Sequence, residues 1–253
     1  MNIFLNMYQK RTYRQLVGTD RLSAFEVTVK ETDLLIHAQK DLRQVAREIV
    51  LEQRRYLETY IEQHPDFVST LQPWPAGGPA PALVADMVAA SGTAAVGPMA
   101  AVAGAMAQQV ATALLAHTDE VIVENGGDTF LHTRNDVQVG IFAGGSPLSL
   151  RFGLAIPAAR QPLAVCTSSG TVGHSLSLGR ADAVCVVSKS AALADAAATS
   201  FANRVQSAAD IESAIEYGRQ VPNIDGLVIV VDGQIGCWGT VELVPLAEKK
   251  VEF

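Results

Sequence analysis

Six short apolar segments follow one another between Glu120 and Ser188: EVIVEN, TFLHT, DVQVGIFA, SLRFGLAI, LAVCTS and AVCVVS. Each has the length of a strand and is flanked by turn-forming residues. Strand after strand, with no regular alternation of strand and helix, predicts an α+β fold and not a doubly wound parallel sheet. Two helices, about Ala191 to Val205 and Ala208 to Tyr217, interrupt the series before GLVIVVDG, QIGCWG and VELVP resume it. No tandem repeat is evident.

Upstream, FEVTVKE and DLLIHAQ alternate like the arms of a hairpin. The segment DLRQVAREIVLEQRRYLETYIEQ then carries apolar residues at helical spacing with charge on the opposite face, predicting a long amphipathic helix that ends at Pro65. The stretch LQPWPAGGPAPA can continue neither a helix nor a central strand and sets a boundary near residues 72–82. We therefore expect residues 1–72, the hairpin and long helix, to pack on a body formed by residues 73–253, the whole making one compact unit.

With 49% hydrophobic and 18% charged residues, the chain reads as a soluble globular protein. Residues 1–63 hold 10 Lys and Arg against 9 Asp and Glu, leaving 9 against 17 in the remainder. That acidic body argues against binding bare nucleic-acid phosphates, while a polyanion held through a metal stays open. The N-terminal MNIFLNMYQKRTYRQL lacks the basic, apolar and small-residue series of a signal peptide, so a cytoplasmic protein is expected. Val96 to Ala116 is long enough to span a membrane, but it is mostly Ala and Gly and contains Gln108 and Gln109. A buried helix and no membrane contact are expected there. Cys166, Cys185 and Cys237 lack metal-type spacing and sit in strand-like apolar contexts, as buried free thiols do. Nothing in the sequence activates Cys166 as a nucleophile beside His174.

Four motifs carry candidate chemistry. In ADAAATSFAN, Asp195 and Thr199 are four residues apart and share one helix face, presenting two hard oxygen donors suited to Mg²⁺. Helix capping by Asp195 and a back-bond from Thr199 account for the same pair. ENGGD is a glycine turn, or a place where Gly126 and Gly127 bring bare backbone to a ligand with Asn125 or Asp128 bonding its polar edge. CTSSGTVGHS offers the hydroxyls of Thr167, Ser168, Ser169 and Ser175, with His174, as a solvated turn or an anion loop; it is not a P-loop. In VGPMAAVAGA, Gly97 and Pro98 open a helix of small residues, which serve helix packing or leave a carbonyl free for a metal.

In this order the motifs resemble the ApbE-like family, the FAD:protein FMN transferases, across roughly Gly92 to Val205. VGPMAAVAG, NGGD, TSSG with GHS, and ADAAAT correspond to the family's helix start, GGD turn, TSG loop with histidine, and ADAxAT helix. The helix start lacks the lysine that the family carries there. The resemblance implies an α+β fold of intertwined antiparallel sheets with inserted helices. It implies Mg²⁺ on Asp195, Thr199 and a carbonyl near Gly97 or Pro98, with His174 as base. FAD would lie along Gly97, Asn125, Gly126, Gly127, Asp128, Thr167, Ser168, Ser169 and Gly170. The function implied is Mg²⁺-dependent binding of a flavin nucleotide and transfer of FMN to a threonine of an acceptor protein. Water in place of the acceptor would make a pyrophosphatase, and no turnover a flavin-binding protein. A homo-oligomer is compatible with the sequence.

Overall fold

The computed structural model describes residues 16–17, 19–170 and 178–246. In chain order these form β1 (Leu16–Val17), β2 (Ser23–Val29), β3 (Thr32–Ala38), α1 (Arg43–Gln63), α2 (Ala82–Ala94) and α3 (Val102–Leu114). The strands β4 (Val121–Asn125), β5 (Asp128–His132), β6 (Val137–Gly140), β7 (Phe152–Ile156), β8 (Leu163–Ser168) and β9 (Ala183–Ser188) follow. The chain closes with α4 (Ala191–Ala202), α5 (Ile211–Gln220), β10 (Gly226–Val231), β11 (Gln234–Gly239) and β12 (Leu243–Pro245).

Two antiparallel sheets result, one of eight strands in the order β11-β10-β9-β8-β5-β4-β3-β2 and one of four in the order β1-β6-β7-β12. The expected α+β class holds. The larger sheet is the middle layer. On β9, Val184 and Val186 face the core shared with the helices, whereas Ala183, Cys185 and Val187 face the core shared with the smaller sheet. Burial on both faces explains why AVCVVS and GLVIVV read as unbroken apolar runs.

The hairpin β2–β3 turns through Lys30, at φ 51°, and β3 pairs with β4, so it forms one end of the larger sheet. α1 lies over β2 and α3, burying Ala46, Val50 and Leu57. At its C-terminal end, Phe67 meets Tyr60 and Trp74 edge to face, His64 meets Trp74 edge to face and Tyr60 at a tilt, and the Trp74 indole donates to the Tyr60 hydroxyl at 3.2 Å. The segment between them reaches the Gly97 turn: a Cβ on Gly97 would lie 2.0 Å from the Thr70 carbonyl oxygen.

The expected helix from Val96 to Ala116 is shorter: a 3-10 turn spans Pro98–Ala101 and α3 runs Val102–Leu114. α2 ends at Ala94, capped by a left-handed Ala95, and Pro98–Leu114 lies at 107° to it. No single helix among the described residues is long and apolar enough to cross a membrane. Cys166 and Cys185 are buried, as expected, but Cys237 is exposed because β11 is the edge strand of its sheet.

α3 crosses α4 with backbone nearly in contact. A Cβ on Gly104 would lie 2.2 Å from the Ala191 carbonyl oxygen, closer than any side chain can come without the helices moving apart. Gly104→Ala should therefore cost about 2 kcal/mol through overpacking. Gly92, exposed within α2 with open space around it, should gain about 0.5–1 kcal/mol from alanine. Urea unfolding of the two variants checks this: opposite signs are expected, and equal effects would mean that the crossing relaxes freely.

Candidate functional site

α4 starts at Ser190, whose hydroxyl accepts from the Leu193 N–H at 3.3 Å. Its first free donor, the Ala191 N–H, is taken by the side chain of Gln108 on α3 at 2.7 Å. α4 answers in kind: Asp195 Oδ2 accepts from the Gly104 N–H at 2.9 Å. Asp195 thus caps a helix, as the bland reading of ADAAAT allowed, but it caps α3 and not its own. Asn125 holds the same stretch from the other side, donating to the Ala103 carbonyl at 3.2 Å. Thr199, one turn beyond Asp195, is buried.

The Gly126–Gly127 turn joins β4 to β5 as a tight hairpin, with Asn125 opposite Asp128. Gly126 takes φ 75°, which favours glycine, and Gly127 lies so close to β8 that a Cβ would meet the Thr167 carbonyl oxygen at 2.9 Å. The turn sets Asp128 opposite Cys166 on β8, on the sheet face that α4 covers. The Cys166 thiol, opposite Asp128, donates to the Ala191 carbonyl at 3.5 Å.

Strand alternation then divides the TSSG loop. Thr167 points to the far face, where its hydroxyl meets Cys185 Sγ at 3.0 Å. Ser168 returns to the face of Cys166, beneath α4. Ser169 and Gly170 lie at the strand end, and the Gly170 N–H donates to the Ala181 carbonyl. Gly97 is packed against Thr70, its carbonyl accepting from the Ala100 N–H at 3.1 Å. Pro98 is buried in the turn that packs on α4. His174 and Ser175 fall outside the described residues.

The structure therefore sets Asp128 and Ser168 on the sheet face that α4 covers, with Asp195 of α4 close enough to feel the Asp128 charge, and turns the Thr167 hydroxyl away from it. Two buried oxygens there, Asp128 Oδ1 and Ser168 Oγ, have no hydrogen-bond partner among the described residues. Burial pushes the Asp128 carboxyl up to about 7. Burial, then the charge of Asp128, raises Asp195 well above the usual carboxylate range. Burial also raises the Cys166 thiol, with both carboxyls adding to the effect, so it stays protonated and is no nucleophile. Sequence reasoning missed Gly104 and Gln108, which build this arrangement. A glycine and a glutamine inside an apolar helix were the available signals.

These shifts predict a pH dependence. Asp128 has a folded pKa near 7 against an ordinary 3.8. The unfolded chain therefore releases this proton first, and stability falls as pH rises from about 4 to above 7. Asp128→Asn removes that loss. In chelator without divalent ions, its stability relative to the unaltered chain should improve by at least about 1 kcal/mol between pH 5 and pH 8. Urea midpoints of both proteins at the two pH values measure it; a constant difference would mean that Asp128 ionises freely.

A family model described as AbpE bacteria matches residues 14–236. A UPF0280 protein of Methanococcus vannielii is 39% identical over 234 residues, covering 90% of this chain and 95% of that protein. UPF0280 protein MJ1526 of Methanocaldococcus jannaschii is 38% identical over 231 residues, with 89% and 94% covered. Among solved structures, the apo flavinyl transferase ApbE of Pseudomonas stutzeri superposes with a TM-score of 0.53 at 14% identity, covering 86% of this chain and 94% of that one. The flavin transferase ApbE of Vibrio cholerae gives 0.53 at 12%, covering 86% and 96%. At such identities the likeness establishes the fold. Fold, motif order and family model agree: the chain belongs to the AbpE bacteria family.

Proposed function

We propose that the chain binds FAD through a magnesium ion held between α4 and the larger sheet, and transfers FMN to a threonine of an acceptor protein. One observation carries this reading. Asp128 Oδ1 and Ser168 Oγ are buried on the sheet face beneath α4 without partners among the described residues, and Asp195 on that helix feels the charge of Asp128. Unpaired buried oxygens are costly, and two neighbouring carboxylates repel, so a cation and its ligand are the natural occupants.

The donor set fits magnesium. It consists of hard oxygens, and no group of three or more His, Cys, Asp or Glu that could hold a metal occurs among the described residues. A cation with so few protein ligands must complete its shell with phosphate oxygens and water, as magnesium does. When bound, it would neutralise charge on the pyrophosphate and on departing AMP. Asp195 and Thr199 would hold it, and Asp195 is already aimed by the Gly104 N–H. In the transfer, the acceptor hydroxyl oxygen bonds to the FMN phosphorus, the phosphorus–oxygen bond to AMP breaks, and the hydroxyl proton passes to a base. The family resemblance assigns that base to His174.

Asp195→Asn tests the reading, because asparagine still accepts from the Gly104 N–H and should leave the melting temperature within a few degrees. FAD affinity measured by calorimetry in Mg²⁺ should fall at least tenfold, about 1.4 kcal/mol, and chelator should do the same to the unaltered chain. AMP release from FAD in Mg²⁺ reports turnover. Metal-independent FAD binding, or unchanged affinity in the variant, would overturn the magnesium site; binding without AMP release would leave a flavin-binding protein.

A further inference from the structure

The two edges of the larger sheet are built differently. β2 carries the exposed Glu26 and ends beside Lys30, charges that discourage another strand from adding to that edge. β11 reads QIGCWG over Gln234–Gly239, with no charge and no proline, and exposes Ile235 and Cys237. Its pairing with β10 through the Asp232–Gly233 turn makes Val231 and Gln234 a hydrogen-bonded pair. Alternation, and the Thr240 N–H donating to the Asp225 carbonyl at 2.8 Å, carry that pattern along the ladder. Ile235, Cys237 and Gly239 therefore direct their backbone groups outward.

α5 overlies this edge. Ile211 and Ile215 sit above Gly236, where a Cβ would meet Ile211 Cγ2 at 2.2 Å, and the Arg219 guanidinium lies 5.9 Å from the Trp238 ring. α5 thus runs along β11 in the same direction, with the exposed Glu212 toward the start of the strand and the exposed Arg219 toward its end.

We infer that two copies of the chain pair β11 to β11, antiparallel, across a two-fold axis at Cys237. In this register Cys237 bonds the partner's Cys237, and Ile235 bonds the partner's Gly239, so every outward-facing residue of β11 is paired. The same rotation sets Arg219, which already pairs with Glu216 of its own helix at 3.2 Å, beside the partner's Glu212, and Glu212 beside the partner's Arg219. This charge complementarity belongs to the antiparallel arrangement, since a parallel one would set like charges together. The interface is isologous and closes as a dimer. It does not depend on the flavin reading, because the space beneath α4 lies away from this edge.

Sedimentation of the full-length chain tests the pairing. The unaltered chain should sediment with twice its 26.8 kDa mass at micromolar concentration. Cys237→Lys sets two like charges against each other at the axis and should raise the dimer dissociation constant at least tenfold, with unchanged circular dichroism. Arg219→Glu should weaken the dimer, and adding Glu212→Arg should restore it, a rescue that misfolding cannot mimic. A monomer in the unaltered chain, a dimer that survives Cys237→Lys, or a double variant no tighter than Arg219→Glu would overturn the inference.

Discussion

The crossing of α3 and α4 is the constraint on which the candidate site depends. Gly104 lets the helices approach until backbone nearly meets backbone, and each helix then supplies what the other's start lacks. Gln108 takes the Ala191 N–H, and Asp195 takes the Gly104 N–H. Helix starts leave several donors unpaired, and burying them without partners is costly. The reciprocal arrangement resolves this at both ends, and it fixes the Asp195 carboxyl to within the tolerance of a hydrogen bond. Asn125 extends the clamp to the sheet, since the peptide unit between Ala103 and Gly104 is bonded at its carbonyl by Asn125 and at its N–H by Asp195.

That rigidity places Asp195 near Asp128, an unfavourable arrangement without a counter-charge. Both carboxyls are raised, chiefly by burial. Asp195 has the Gly104 N–H in compensation, while Asp128 has an oxygen with no partner among the described residues. The free protein accommodates the pair by retaining a proton, which is why its stability should fall as pH rises. Asparagine of the same volume would relieve the repulsion, so the paired acids cost the free protein stability.

Much of the fold was legible because hydrophobic period reports local structure directly. Every strand candidate from FEVTVKE to VELVP corresponds to a strand, and the long helix ends before Pro65 as expected. Gly97 and Pro98 marked the start of the second small-residue helix, but its angle to α2 was not legible, since nothing local dictates a left-handed Ala95. Cys237 was misread for a related reason: QIGCWG has the composition of a covered strand, and only sheet order makes it an edge. At the site, the residues were readable but their directions were not. The period of two does separate Thr167 from Ser168, yet which of them faces α4 depends on β8 lying beside β5.

The alanine run then has a physical explanation that neither capping nor metal binding supplies alone. Every residue of α4 is buried apart from Asp195, which keeps a little surface, because α2, α3 and the sheet all press on this helix. Close approach on several sides admits only small side chains, so alanine follows from packing. A carboxylate in such a helix needs a donor that is already fixed, and the start of α3 presents the Gly104 N–H at a position 91 residues earlier in the chain. Small residues bring the helices together, their approach aligns that N–H, and its bond makes an acid tolerable in the core. Thr199 lies one turn away on the same face, so the packing that permits the acid also sets a hydroxyl beside it.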